Sequence, residues 1–219
     1  MQFDNRFLYE GGNPTLQPEK VFNVEAMMLY KWLNVSVGYK YLKDVMEWTK
    51  YIYPGKEFAY NTSLNFDHKQ LLYASVNVSP KFGIFRPTWG FNYNQQFFDT
   101  KKYGASKALS KPLLSCSLNN NFALSETMNA AIRLNASTTH ADGFLMMKSG
   151  YSVNLQFNKS FANRTWIIYL SANDIFKTAK ERWTMYGLGA GTTKDCYNYT
   201  RCISLQVTYN FNAKRSKYK

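Results

Sequence analysis

The sequence predicts an all-β protein, built as an antiparallel up-and-down meander of about nine long strands. The first observation is strict alternation over residues 201–212, where Ile203, Leu205 and Val207 face one way and Ser204 and Gln206 face the other. The second observation is that this pattern recurs along the chain. The third is that the connections alternate between short turns and long loops, as they do when all the short turns lie at one end of a sheet.

Each predicted strand rests on this alternation and is bounded by turn residues. Residues 1–19 contain Gly11, Gly12 and two prolines, so they are predicted to be an irregular segment leading into the first strand. Residues 20–212 form the predicted β segment, and 213–219 form a basic tail. The predicted strands are 20–30, 35–41 with an extension towards 53, 72–78, 89–97, 114–122, 130–136, 151–157, 166–172 and 203–212.

The connections between these strands fall into two classes. Short turns are predicted near 31–34, 80–84, 124–127 and 160–164. Long loops are predicted at 54–66, 99–110, 139–148 and 173–200, and the end of the first of these is also compatible with strand. Because the two classes alternate, short and long connections are expected at opposite ends of the sheet.

Composition narrows the class of protein. The chain has 27 Lys and Arg against 14 Asp and Glu, a net charge of +13, which fits nucleic acid, an anionic membrane surface or acidic ligands. No nucleic-acid motif is present, so no nucleic-acid partner is predicted. No run of 18 apolar residues occurs, which excludes a transmembrane helix. Residues 1–6 do not read as a signal peptide.

The polar face of the predicted strands favours a membrane barrel over a soluble sandwich, although a sandwich alternates too. Asn, Ser, Gln and Thr dominate this face and charged residues are few, which is typical of a hydrated lumen. Ten residues are enough for a tilted strand to cross a bilayer. Aromatic residues near strand ends fit interfacial girdles, namely Trp32, Trp89, Trp166, Tyr209 and Phe211. The sequence therefore predicts a transmembrane β-barrel of the bacterial outer membrane.

The search for catalytic or metal-binding residues finds no convincing constellation, so neither an enzyme nor a cofactor is predicted. His68 beside Asp67, and His140 near Asp142, lack further ligands at suitable spacing and are interpreted as surface residues. A barrel enzyme would need a nucleophile, a base and an orienting group clustered at one strand end, and no Ser/His/Asn or Asp/His set is placed so. Cys196 and Cys202 are six residues apart, and the sequence leaves open whether they pair or remain free thiols.

Six residues are candidates for contact with a solute. Lys40 and Arg133 lie on predicted lumen faces, where side chains tune selectivity, but they are equally compatible with ordinary wet positions. Four loop aromatics are candidate extracellular ligand contacts that could stack on a sugar, although loop aromatics also pack against one another. They are Trp183, Tyr186, Tyr197 and Tyr199.

Three stretches resemble the outer-membrane β-barrel family related to TonB-dependent receptors, of the kind common in Bacteroidetes-type bacteria. Residues 12–19, G-N-P-T-L-Q-P-E, resemble that family's turn before a barrel strand. Residues 170–176, L-S-A-N-D-I-F, resemble the stretch ahead of its last long loop. Residues 203–212 resemble its closing strand, followed by a basic tail. Together the three stretches span nearly the whole chain.

The resemblance implies energised uptake of a large nutrient, such as a metal chelate or a glycan. Such receptors have 22 strands and a plug, whereas this sequence has about nine strands and no recognisable plug, so we expect the C-terminal part of an incomplete barrel, a fragment. The expected partners are outer-membrane lipid and lipopolysaccharide, the rest of the barrel with its plug, and TonB through a missing N-terminal part. The alternatives are a structural or adhesive barrel and, third, an outer-membrane enzyme.

Overall fold

The computed structural model describes residues 2–5, 8–52, 55, 58–189 and 191–211. All its regular elements within these ranges are strands. In chain order they are β1 (Gln2–Asn5), β2 (Leu8–Glu10), β3 (Lys20–Tyr30), β4 (Leu33–Ile52), β5 (Ala59–Val78), β6 (Phe85–Phe97), β7 (Leu113–Ser125), β8 (Met128–Ser137), β9 (His140–Asp142), β10 (Leu145–Met147), β11 (Gly150–Phe161), β12 (Trp166–Asn173), β13 (Lys180–Tyr186), β14 (Gly191–Tyr197) and β15 (Cys202–Tyr209).

Nine long strands form one antiparallel sheet in the order β3-β4-β5-β6-β7-β8-β11-β12-β15, which confirms the predicted meander. Their short connections lie together at one end, hereafter the turn end, and the opposite end is the loop end. The short strand β2 pairs in parallel with the start of β5, with Leu8 opposite Ala59. Among the described residues, no strand pairs with the outer edge of β3 or of β15, so the sheet is not closed.

The main sheet has one apolar face and one polar face. Ile203, Leu205 and Val207 of β15 lie on the apolar face and are 79%, 67% and 55% exposed. On the polar face, small hydroxyl side chains pair across strands, as in the Ser171 Oγ to Ser204 Oγ contact of 2.6 Å. A face so apolar and so exposed calls for an apolar surrounding medium.

A second, four-stranded sheet has the order β14-β13-β10-β9. This order matches the order β15-β12-β11-β8 of the main sheet. In the chain, β9 follows β8, β10 precedes β11, β13 follows β12 and β14 precedes β15. The strands are interrupted at matching levels, in four segments that we call the break: residues 138–139, 148–149, 174–179 and 198–201. The second sheet is therefore an extension of the main sheet beyond the break, and we call it the roof.

The roof leans over the polar face of the main sheet. Gly143, in the turn between β9 and β10, donates its N–H to Gln96 Oε1 at 2.8 Å, and Gln96 shares the polar face of β6 with Asn92 and Asn94. At its far side, Leu188 donates its N–H to the Lys50 carbonyl of β4 at 2.7 Å. The roof thus reaches from the β11–β12 part of the sheet to the β4–β5 part.

A small hydrophobic core lies where the roof meets the loop-end half of β4 and β5. Phe144 of the roof is 1% exposed, and its ring centroid lies 4.9 Å from that of Phe66 and 5.3 Å from that of Phe98. Leu42, Val45 and Ala105 complete this cluster. The main buried apolar contacts therefore belong to the loop end, whereas the long strands keep their apolar face exposed.

Several sequence predictions need correction. Residues 139–148 and 173–200 were predicted as loops, but they contain the four roof strands, whose backbone bonds pair with one another. The predicted loop 54–66 overlaps β5, which begins at Ala59 because it pairs with the extended β4. Residues 1–19 are not wholly irregular, since β1 and β2 pair antiparallel. The last strand ends at Tyr209, and the predicted basic tail lies outside the described residues.

Candidate functional site

An open cleft of about 590 Å³ lies between the roof and the main sheet, at the level of the break. This volume is within the range of small-molecule sites. Amides and hydroxyls line the side that belongs to the main sheet, and cationic side chains line the side that belongs to the roof and the break. The polar side chains include Asn92, Ser115, Ser117, Asn135 and Ser152, and the cations are Lys148, Lys180 and Arg182.

A buried ion pair stabilises the contact between the roof and the loop-end half of β4 and β5. Lys69 Nζ lies 2.6 Å from Glu47 Oε1 and 3.8 Å from Asp142 Oδ1, and the Lys69 side chain is 8% exposed. Burial raises the pKa of the Glu47 carboxyl, although the charge and hydrogen bond of Lys69 oppose this. Gly143 packs directly on this pair, with no room for a Cβ beside Glu47.

A second polar cluster orders the β13–β14 hairpin of the roof. Glu181 Oε2 accepts hydrogen bonds from Lys194 Nζ at 2.8 Å and from Asn198 Nδ2 at 3.2 Å, and Glu181 Oε1 accepts one from Trp183 Nε1 at 3.0 Å. The bond from Lys194, with those from Trp183 and Asn198, lowers the pKa of Glu181 to about 2. The carboxylate is therefore ionised and fully engaged near neutral pH.

Asp174 holds together two segments of the break. Its Oδ1 accepts the backbone N–H of Thr178 at 2.8 Å and of Ala179 at 3.1 Å, and its Oδ2 accepts the Thr200 hydroxyl at 2.8 Å. Burial alone would raise the pKa of Asp174, but these hydrogen bonds outweigh it and lower the pKa. Sequence reasoning noted this residue in the stretch 170–176 but assigned it no role.

The two predicted lumen residues both lie on the polar face but not together. Arg133 of β8 donates from Nε to Asn119 Oδ1 at 3.3 Å and lies opposite Asn154. Lys40 of β4 is half-buried and lies opposite Asn23 and Leu71. Strands β4 and β8 are four positions apart, or about 19 Å at the usual strand spacing. The structure does not bring the two cations into one site.

The four aromatic candidates are divided among separate environments in the roof and the break. Trp183 is engaged by Glu181, and Tyr186 packs against the buried clusters at the base of the roof. Tyr197 and Tyr199 contact each other edge to face, with ring centroids 5.9 Å apart, and Tyr199 is 87% exposed. The structure therefore brings only Tyr197 and Tyr199 together, at the edge of the roof.

The histidines and cysteines also have separate environments. His68 stacks on Tyr41 with ring centroids 5.9 Å apart, and His140 Nδ1 lies 2.9 Å from the Thr138 carbonyl. Cys196 and Cys202 are both free thiols, so the pairing that the sequence left open is not formed. Within the described ranges, no group of three or more His, Cys, Asp or Glu residues is placed to hold a metal ion.

Sequence reasoning missed the residues that attach the roof. Glu47 lies in the predicted extension of the 35–41 strand, Gln96 lies in the predicted strand 89–97, and Lys69 lies just before the predicted strand 72–78. Alternation gives no information on long-range contacts of these residues. One signal was present: Gly143 is the first of the two turn residues between the paired Asp142 and Leu145, and its positive φ of 53° is what a type II′ hairpin turn requires there. It would have predicted the β9–β10 hairpin inside the supposed loop.

Comparison with known families decides the class of protein. Residues 1–209 match the outer membrane protein beta-barrel family. The chain belongs to this family. No curated protein and no solved structure matches the chain. Searching the described part of the chain for a helix of sufficient length and apolarity to span a membrane yields none.

Membership of the outer membrane protein beta-barrel family places the protein in the bacterial outer membrane. The exposed apolar face then contacts lipid, and the polar face is the lumen side. In such barrels the short turns are periplasmic and the long connections extracellular, so the roof is on the outer side. At the turn end, two of the aromatic residues predicted to form an interfacial girdle contact each other: the ring centroids of Trp166 and Tyr209 are 4.5 Å apart.

Proposed function

We propose that this chain forms part of the wall of a receptor-like transporter, similar to TonB-dependent receptors, that takes up a large nutrient such as a metal chelate or a glycan. The observation that carries the proposal is the roof over the polar face, which leaves between them a cleft lined by both polar and apolar side chains, on the extracellular side of the lumen. A barrel with a purely structural role does not require a cleft lined by amides, hydroxyls and cations, whereas a barrel that binds a solute does.

The open edges of the sheet support a larger assembly. Unpaired strand edges do not occur within hydrocarbon, because each unsatisfied N–H and C=O group costs several kcal/mol there. The outer edges of β3 and β15 have no partner among the described residues. We propose that further strands of a receptor barrel pair with both edges, and that a plug domain and TonB act together with that barrel.

The proposed transport is tested by inactivating the gene in its native bacterium and measuring growth on a panel of single iron sources and single glycans. TonB is inactivated in a parallel strain. A growth defect on at least one source, shared by the two strains, is expected. Normal growth on every source, or a defect that appears without TonB dependence, would contradict the proposal.

The structural or adhesive alternative has one observation in its favour. The roof is fixed by a buried core and a buried ion pair, with Phe144 1% exposed and Lys69 bonded to Glu47. A permanently fixed roof suits a barrel without transport. Loss of cell adhesion or envelope integrity, with normal growth on the whole nutrient panel, would favour this alternative over uptake.

A further inference from the structure

Residues 11–19, which we call the strap, connect β2 to β3 by crossing the loop-end half of β4 and β5. The strap begins at one edge of β5, where Gly11 donates its N–H to the Asn61 carbonyl at 3.3 Å. It ends at the outer edge of β4, where Glu19 Oε2 accepts the N–H of Met46 at 3.2 Å. Because β5 and β4 lie side by side between these two points, the strap crosses one of their faces.

The strap crosses the face that points away from the roof. Leu64 packs against the buried cluster beneath the roof, so alternation turns its neighbours Ser63 and Asn65 to the other side. Asn65 binds the strap there, because its Oδ1 accepts the Gln17 N–H at 2.8 Å and its Nδ2 donates to the Gln17 carbonyl at 2.9 Å. The strap is therefore fixed on the outer surface of the sheet, on the side opposite the lumen.

An open cleft of about 430 Å³, which we call the strap cleft, lies between the strap and this outer surface. Asn61 pairs with Glu10 of β2. In the next row, Ser63 pairs with Trp48 of β4. Paired residues point to the same side of a sheet, so these four side chains face the strap cleft together. The residues that line it include Glu10, Asn13, Leu16, Trp48, Asn61 and Ser63.

The strap cleft combines an aromatic surface with unused hydrogen-bond acceptors. Trp48 is 40% exposed, so part of its ring is available for stacking. Asn61 is 7% exposed, and its Oδ1 has no hydrogen-bond partner among the described residues. The Glu10 carboxylate forms no ion pair within the same part of the chain. A ligand that fits the strap cleft must therefore offer hydrogen-bond donors next to an apolar surface.

The height of the strap cleft follows from the length of β4. Fifteen residues separate Trp48 from Leu33 at the turn end, which is about 50 Å along the strand and about 38 Å along the membrane normal at a tilt of ~40°. The apolar band of an outer-membrane barrel is only about 25 Å tall. The strap cleft therefore lies beyond the lipid on the extracellular side, where it is open to polar ligands.

We propose that the strap cleft binds a neutral sugar residue of a glycan outside the cell. The apolar face of the sugar ring stacks on Trp48, and its hydroxyl groups donate to Asn61 and Glu10. Glu10 is the single charged side chain among the described lining residues, so it repels acidic sugars and phosphates, and one carboxylate is too few to hold a metal ion. This inference needs the outer-membrane location but not the proposed transport.

The test uses the assembled protein purified from outer membranes of its native bacterium and a panel of fluorescently labelled neutral gluco-, manno- and galacto-oligosaccharides. The wild type is expected to bind at least one of them. Trp48→Ala is expected to weaken this binding by about tenfold or more, and Asn61→Ala by about fivefold. The matched control is Met46→Ala, because Met46 is 43% exposed on the same strand and face but does not line the strap cleft.

Further arms separate stacking from folding and one source of sugar from another. Trp48→Phe keeps an aromatic ring and is expected to retain most of the binding. Lipopolysaccharide from the same bacterium is expected not to displace the neutral oligosaccharide. Binding to no member of the panel, wild-type affinity in Trp48→Ala, an equal loss in Met46→Ala, or displacement by lipopolysaccharide would each overturn the proposal. TonB takes no part in this measurement, so a failure of the proposed transport leaves the result unaffected.

Discussion

At the scale of single residues, Gly38 shows how the main sheet uses an absent side chain. The Tyr73 ring lies across Gly38, and its hydroxyl donates to Asn23 Oδ1 at 2.9 Å on the far side of β4. A Cβ on Gly38 would lie 2.2 Å from Tyr73 Cζ. The tyrosine thus connects β5 to β3 over the intervening strand, and only glycine leaves room for it.

Replacing this glycine is expected to destabilise the sheet. In Gly38→Ala the Tyr73 ring must move and lose its bond to Asn23, at a cost of about 1–3 kcal/mol. The measurement is made on native outer membranes, where the proposed partner strands are present: it is the temperature at which the folded band disappears from a gel of samples heated in steps. Gly150→Ala is the control, because a Cβ there meets nothing within 4 Å. Equal loss in both variants would contradict the role given to Tyr73.

The buried pair Lys69 and Glu47 predicts a change in pH dependence. In Lys69→Met the attraction and hydrogen bond that lower the pKa of Glu47 are lost, and burial raises this pKa further above 4.5. The folded state then binds the proton more tightly than the unfolded state. Protonated Glu47 therefore stabilises the folded state at low pH, and this contribution is lost as the pH rises through the raised pKa of Glu47.

Thermal unfolding of Lys69→Met at several pH values checks this prediction. We expect a loss of about 3 kcal/mol at pH 8 and a smaller loss at pH 5, since breaking a buried pair leaves an unpaired charge. The double variant Lys69→Met/Glu47→Gln is the control, and it should lose most of the pH dependence. A pH-independent defect in Lys69→Met would show that Glu47 is not the titrating group.

At the scale of elements, the attachment of the roof depends on a few aromatic contacts. Phe144 is 1% exposed between Phe66 and Phe98. We expect Phe144→Ala to cost about 3–5 kcal/mol of local stability and to release the roof from β4 and β5. Hydrogen exchange should then increase in residues 42–52 and 140–147, with little change in the lower half of the main sheet.

The comparison variant for this experiment is Phe176→Ala. Phe176 is 61% exposed in the break, so its removal deletes an aromatic ring without opening a cavity. If exchange in the roof rises equally in both variants, or if Phe144→Ala leaves the roof protected, the buried contact does not hold the roof in place.

The elements also show what could be predicted from sequence. All nine long strands follow from period-2 alternation, because each has one face in lipid and one in a polar lumen. The roof strands escaped prediction because β9 and β10 have only three residues each, too few to show a period, and the seven-residue strand β14 (G-T-T-K-D-C-Y) has no alternation of apolar and polar residues. Lys40 and Arg133 share one face of the main sheet, as strand alternation predicts, but alternation says nothing about distance across strands, and their contact with a solute stays a prediction.

At the scale of the whole molecule, the open edges of β3 and β15 lead to a prediction about assembly. β3 is exposed along its entire length, and β15 is exposed along nearly all of its length. The isolated chain, exported with a grafted signal peptide, is expected to yield no heat-modifiable band, because unpaired edges are unstable in lipid. Boiled and unboiled membrane samples are compared on a gel. A mobility shift would mean that the nine strands close into a barrel unaided.

The aligned break has a consequence for how such proteins diversify. The segments 138–149 and 174–201 each leave the main sheet and return to it at the same level, with the membrane-spanning pairings on either side complete without them. Because β10 pairs with β13, the two segments form one unit that can be exchanged only as a whole. Another roof can replace this unit without altering the register of the main sheet, so binding properties can change while the insertion and assembly of the barrel are preserved.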